Sequence, residues 1–135
     1  MALSFTIAGP PRTKKNHGKV IQRGARKLHV SSDAYQEWNA SAQMQLARVR
    51  AQYKGFLAPS GRKMLPWDFA VNVAALFYRH ADVGDAVGFY QALADTLQEG
   101  RILVNDKQIV SWDGSRMLKD ATNPRVEVTI TLALE

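Results

Sequence analysis

The amino-acid sequence predicts an α+β domain: a mixed β-sheet with two main helices packed on it. Three observations predict it. Residues 33–53 repeat apolar side chains at helical spacing, and Phe69 to Tyr78 and Val126 to Leu132 alternate with a period of two. Along the chain the segments run strands, helix, strand, helix, strands. The 135 residues are expected to form one domain, 1–135, because a chain of this length buries roughly two-thirds of its unfolded surface.

Leu3 to Ala8 alternates as a first strand, and Gly9-Pro10-Pro11 ends it because proline fixes φ and removes a donor. TKKNHG, Thr13 to Gly18, is a charged loop. Lys19 to Gln22 and Lys27 to Val30 are expected to pair as a ribbon across the turn Arg23-Gly24-Ala25-Arg26. Ser31-Ser32-Asp33 starts a helix, with Asp33 and Gln36 at the spacing of a capping box. Tyr35, Trp38, Ala42, Leu46 and Val49 form its buried stripe to about Tyr53. Tyr35 and Trp38 are read as core in preference to a base-stacking platform.

Gly55 to Pro66 is a polar connection. Asp68 to Tyr78 is the longest strand, and because both of its faces are largely apolar it belongs in the middle of the sheet. A second helix runs from about Gly84 to Glu99, with Val87, Tyr90, Leu93, Ala94 and Leu97 as its buried stripe and Gly100 closing it. Ile109 to Trp112 and Val126 to Leu132 are the last strands, the latter with one wet face. Ser115 to Pro124 connects them and adds Arg116 and Lys119.

The formal charge is +6, and no acidic residue precedes Asp33, whereas Arg12, Lys14, Lys15, Lys19, Arg23, Arg26 and Lys27 all do. A one-sided field of this kind suits a polyanion, since neutralising phosphates releases counterions; the alternative is a solvated basic loop. With no cysteine, disulfides and thiolate metal sites are excluded and an intracellular, cytoplasmic setting is expected. MALSFTIAGPP lacks the charged start and long apolar stretch of a signal peptide. No apolar run is long enough for a membrane span.

Between Arg79 and Gln108 stand Asp82, Asp85, Asp95 and Asp106, which either cap a helix or hold a metal. Hydrolysing a phosphodiester with Mg²⁺ needs two or three carboxylates converging on a hard cation that activates water. Such a cluster needs the ion, because like charges at close range raise one another's pKa. If the flanking strands are neighbours, Asp82, Asp85 and Asp106 meet at one sheet edge. Taken singly, Asp85 is a helix N-terminal charge worth ~0.3–1 kcal/mol, Asp106 a turn residue and Asp82 a loop aspartate. Asp95, mid-helix, reads as a salt-bridging residue. Nucleophile elbows, Walker A loops, dinucleotide fingerprints and recognition helices are absent.

Three stretches carry a resemblance: FTIAGPPRTKKN (Phe5 to Asn16), SSDAYQEW (Ser31 to Trp38) and QALADTLQEGRILVNDKQI (Gln91 to Ile109). In this order and spacing the chain resembles the RusA-type Holliday-junction resolvases, small phage-associated endonucleases that act as homodimers. The resemblance implies a RusA-like fold and a Mg²⁺-dependent endonuclease, Mn²⁺ substituting, that resolves four-way DNA junctions by paired phosphodiester hydrolysis in a bacterial or phage-infected cell. It casts Asp82, Asp85 and Asp106 as catalytic and metal-binding, with support from Gln91, Asn105 and Lys107. It casts Arg12, Lys14, Lys15, Asn16, Lys19, Arg23, Arg26 and Lys27 as DNA-binding.

The family pattern is D-x-D-N-x-x-K followed by D-D-x-Q. Asp106 matches the last aspartate and Asn105 replaces the one before it. One register puts Asp82 first, then Gly84, Asp85 and Gly88; the other puts Asp85 first, then Val87, Gly88 and Gln91. Both lack one aspartate and the lysine. That departure motivates the alternative, a branched-DNA-binding protein on the same fold with catalysis weakened or lost.

Overall fold

The computed structural model describes residues 2–14, 19–23, 26–30, 33–53 and 65–133, with 19–23 and 26–30 described by backbone alone. Most of the polar connection expected from Gly55, the Ser31-Ser32 helix start and the centres of the TKKNHG loop and ribbon turn lie outside those residues.

The elements are β1 (Ala2–Ala8), β2 (Lys19–Arg23), β3 (Arg26–Val30), α1 (Asp33–Gln52), β4 (Val71–Arg79), α2 (Ala86–Glu99), a 3₁₀ turn (Asp106–Gln108), β5 (Ile109–Ser111), β6 (Arg116–Lys119) and β7 (Arg125–Leu132). The chain is α+β, with a five-stranded mixed sheet in the order β1-β7-β4-β5 and β6 also paired to β4. β7 runs antiparallel to β1 and β4, whereas β5 and β6 run parallel to β4. β4 is therefore central, as its apolar faces required. β2 and β3 form the expected ribbon as a separate two-stranded sheet, with Arg23 opposite Arg26 at its turn end.

One face of the sheet is buried: Leu3 and Ile7 of β1, Val126, Val128 and Ile130 of β7, and Val71, Val73, Ala75 and Phe77 of β4. The register stacks them in rows, Leu3 beside Ile130 beside Val73 and Ile7 beside Val126 beside Phe77. On the other face Asn72, Ala74, Leu76 and Tyr78 are half-buried. Both helices contribute to the single core, giving two packed layers. α1 buries Tyr35, Trp38, Ala42, Leu46 and Val49, the stripe its sequence spacing predicts.

α2 departs from expectation. Its buried residues are Phe89, Ala92, Leu93, Thr96 and Leu97, while Val87 is 73% exposed and Tyr90 and Ala94 are half-buried. The helix is turned so that Phe89 packs on Phe77, with ring centroids 5.3 Å apart. Thr96 is tolerated in the core because its hydroxyl donates to Asn39 Oδ1 at 2.9 Å. A second correction concerns Arg116–Lys119, expected as connection and found as strand β6. Its two charged ends and four-residue length hide the β pattern.

Before β7, Asp120 organises the turn. Its Oδ1 accepts from the Thr122 amide and hydroxyl and from the Asn123 amide, at 3.0 to 3.2 Å, and Oδ2 pairs with Arg125 at 2.9 Å. Arg125 first, then Thr122 and Asn123, hold the Asp120 carboxyl below its usual 3.8. A lowered folded pKa gives stability that is present above the unfolded value and lost as pH falls through the folded one. Asp120→Asn is therefore expected to flatten the decline of Tm below about pH 4. Parallel melting curves of variant and wild type against pH would contradict this.

Candidate nucleic-acid interface and groove

Asp85 is the N-cap of α2: its Oδ1 accepts from the Gly88 amide at 2.7 Å. The close approach explains the glycine, because a Cβ at position 88 would lie 2.7 Å from that oxygen and 3.0 Å from Thr13 Cγ2. The basic loop after β1 is thereby packed against the start of α2 through Thr13. Asp85→Ala is expected to cost about 1 kcal/mol, the ordinary value of an N-cap, and a urea titration reads this as a lower midpoint at constant slope.

Asp82 lies beyond the end of β4, 74% exposed at its side chain, and pairs with Arg79 and Lys119 at 3.6 Å each. Asp106 opens the 3₁₀ turn, where its amide donates to Gln98 Oε1 at 2.8 Å. The expectation that the three carboxylates meet at one sheet edge is corrected by strand direction. β5 is parallel to β4 and begins opposite Val71, so Asp106 sits beside the start of β4 and Asp82 past its end. Nine strand residues separate them by about 30 Å at ~3.3 Å each. Asp85 and Gln98 bracket a 14-residue helix, about 21 Å long. Among the described residues no group of three or more His, Asp or Glu side chains is placed to hold a metal ion. The Asp82–Asp85–Asp106 set does not fit Mg²⁺.

Of the supporting residues, Asn105 is a cap. Its side chain accepts from the Lys107 amide at 2.9 Å, and Gln108 Oε1 accepts from the Asn105 amide at 2.8 Å. Lys107 is exposed. Gln108 Nε2 also donates to the carbonyls of Trp67 and Phe69, at 2.8 and 3.0 Å, which seats the 3₁₀ turn against the chain leading into β4.

Asp106 does share a site, though with different partners. A groove of about 350 Å³ lies between α2 and the 3₁₀ turn with β5. Val87, Tyr90, Gln91, Ala94 and Asp95 line it from the helix, and Asp106, Ile109 and Trp112 from the other side. Tyr90 and Trp112 stack, centroids 4.5 Å apart and planes 6° from parallel. The sequence reading missed this face because it placed Val87, Tyr90 and Ala94 in the core; their spacing was the available signal.

Asp95 is salt-bridged, as read from sequence: Lys14 Nζ is 2.8 Å from its Oδ2. Lys14 also lies 5.4 Å from the Tyr35 ring centroid. The hydrogen bond to Asp95 raises the Lys14 pKa, so the ammonium stays charged at the mouth of the groove. Burial raises the Tyr35 phenol, which stays neutral. Among the other proposed DNA contacts, Arg12 is half-buried, Lys19, Arg23, Arg26 and Lys27 are on the ribbon, and Lys15 and Asn16 lie outside the described residues.

Fold and site together define a small α+β protein with a basic N-terminal ribbon and an aromatic-walled, carboxylate-bearing groove. No family model matches the sequence, and no curated protein matches it. No helix among the described residues is long and apolar enough to cross a membrane.

Proposed function

We propose that this chain is a DNA-binding protein that prefers branched DNA, gripping phosphates with its N-terminal arm and lacking efficient hydrolysis by Asp82, Asp85 and Asp106. The observation that carries it is the segregation of charge. Residues 1–32 hold seven Lys and Arg and no Asp or Glu, while the remaining chain holds eleven basic and twelve acidic residues. The positive excess is thus concentrated on the arm, part of which is a free-standing two-stranded ribbon, an element of a size that DNA grooves admit. The motif resemblance to RusA-type resolvases points to four-way junctions, and a two-fold pair of chains would present two ribbons to such a symmetric target.

Metal-dependent junction hydrolysis is the second reading. One observation favours it: Asp95 and Asp106 line the same groove. A synthetic four-way junction and a linear duplex of equal length, with Mg²⁺ or Mn²⁺ added, separate the two. Tighter, salt-sensitive binding of a junction that stays intact is the expected result. Paired symmetric nicks that vanish in Asp106→Asn would establish hydrolysis instead, and equal affinity for junction and duplex would remove the branched-DNA preference.

A further inference from the structure

We propose that the groove between α2 and β5 receives a single unpaired nucleobase of the bound DNA, guanine before the others. The inference rests on the DNA-binding reading and adds a point of base recognition to it. The cavity, about 350 Å³, is at the lower end of the volumes that hold small ligands. Its walls suit a flat ring. Tyr90 and Trp112 present a stacked aromatic pair, Ile109 is half-buried beside them, and Val87 is 73% exposed. Aromatic side chains of this kind take the π-faces of unpaired bases.

The polar groups are those a base edge needs. The Asp106 carboxylate and the Gln91 amide make no hydrogen bond or ion pair among the described residues, although both line the groove. Asp95, in contrast, already holds Lys14 at 2.8 Å. Guanine offers N1–H and N2–H side by side, matching the two oxygens of one carboxylate, and its O6 accepts from the Gln91 amide. Adenine and cytosine offer donors from the exocyclic amine alone, and thymine offers one ring N–H. Lys14, charged at the rim, is placed for the phosphate of the same nucleotide. Within a duplex the Watson–Crick edge is hidden by the partner base, so the groove selects a base already unpaired, as at a branch or bulge.

The test uses the full chain and duplexes carrying one extrahelical nucleotide, G, A, C, T or an abasic residue, measured by fluorescence anisotropy. The ratio of affinities for guanine and abasic bulges is expected to reach tenfold or more, with thymine near the abasic value. Asp106→Asn, nearly isosteric, and Trp112→Leu should each bring that ratio close to one. Tight binding of every probe with no difference between guanine and abasic bulges would overturn the groove site while leaving the DNA-binding reading standing. If no DNA is bound even at low salt, that reading fails first. The groove is then judged by titration with guanosine monophosphate: binding that Asp106→Asn weakens tenfold sustains the site, and no binding overturns it.

Discussion

Replacing Lys19, Arg23, Arg26 and Lys27 together by glutamine is expected to lower DNA affinity by roughly a thousandfold at ~0.1 M salt and to flatten its salt dependence. These residues sit on β2 and β3, four charges on one short ribbon. Each phosphate contact releases close to one condensed counterion, so the slope of log K against log salt should fall by about 0.9 for each contact removed. Up to about 3.6 units of slope are thus at stake. The slope is the decisive measurement because a merely misfolded ribbon would lower affinity without a matching count of ions. A salt titration of the four-fold variant that runs parallel to wild type would mean that the ribbon does not touch the backbone. Circular dichroism controls for the main fold, whose core contains no described residue of the ribbon.

How far the sequence could be read differs between elements for identifiable physical reasons. α1 has one apolar stripe against polar neighbours, so its spacing alone selected the buried face. α2 carries apolar side chains most of the way round, and a period of 3.6 then admits two faces. Phe77 on the neighbouring strand decides between them by taking Phe89. The coarse fold and the central place of β4 followed from alternation, but strand direction does not follow from alternation. Had β5 been antiparallel to β4, the end of one strand and the start of the next would lie together, and Asp82 would face Asp106. Parallel pairing puts the whole of β4 between them. The carboxylate cluster was a sound inference from adjacency and failed on direction. Asp95 shows the opposite case: its salt bridge was legible, while its place beside Asp106 needed the tertiary structure.

The largest stability effect is expected at Trp67. Its side chain is 1% exposed and stacks at a tilt on Phe69, centroids 4.7 Å apart. Its backbone bridges Leu103, with the Trp67 amide donating to the Ile102 carbonyl at 2.9 Å and the Val104 amide to the Trp67 carbonyl at 3.2 Å. Gln108 donates to the same carbonyl. One indole thus fills the core beneath the segment that carries Asp106. Trp67→Ala should cost ~3–5 kcal/mol, the usual range for emptying a large aromatic site. That is a large share of the ~5–15 kcal/mol that holds a typical domain together. A shift of this size lowers Tm by roughly 10–20 °C at this chain length. Trp112→Leu changes a half-buried side chain at the groove, keeps an apolar group there, and should shift Tm far less. The pair of melts therefore separates the two roles: Trp67 holds the platform on which Asp106 stands, and Trp112 belongs to the surface that platform presents. Equal melting temperatures for the two variants would mean that the 67–69 and 102–108 segments are not what fixes Asp106 in place.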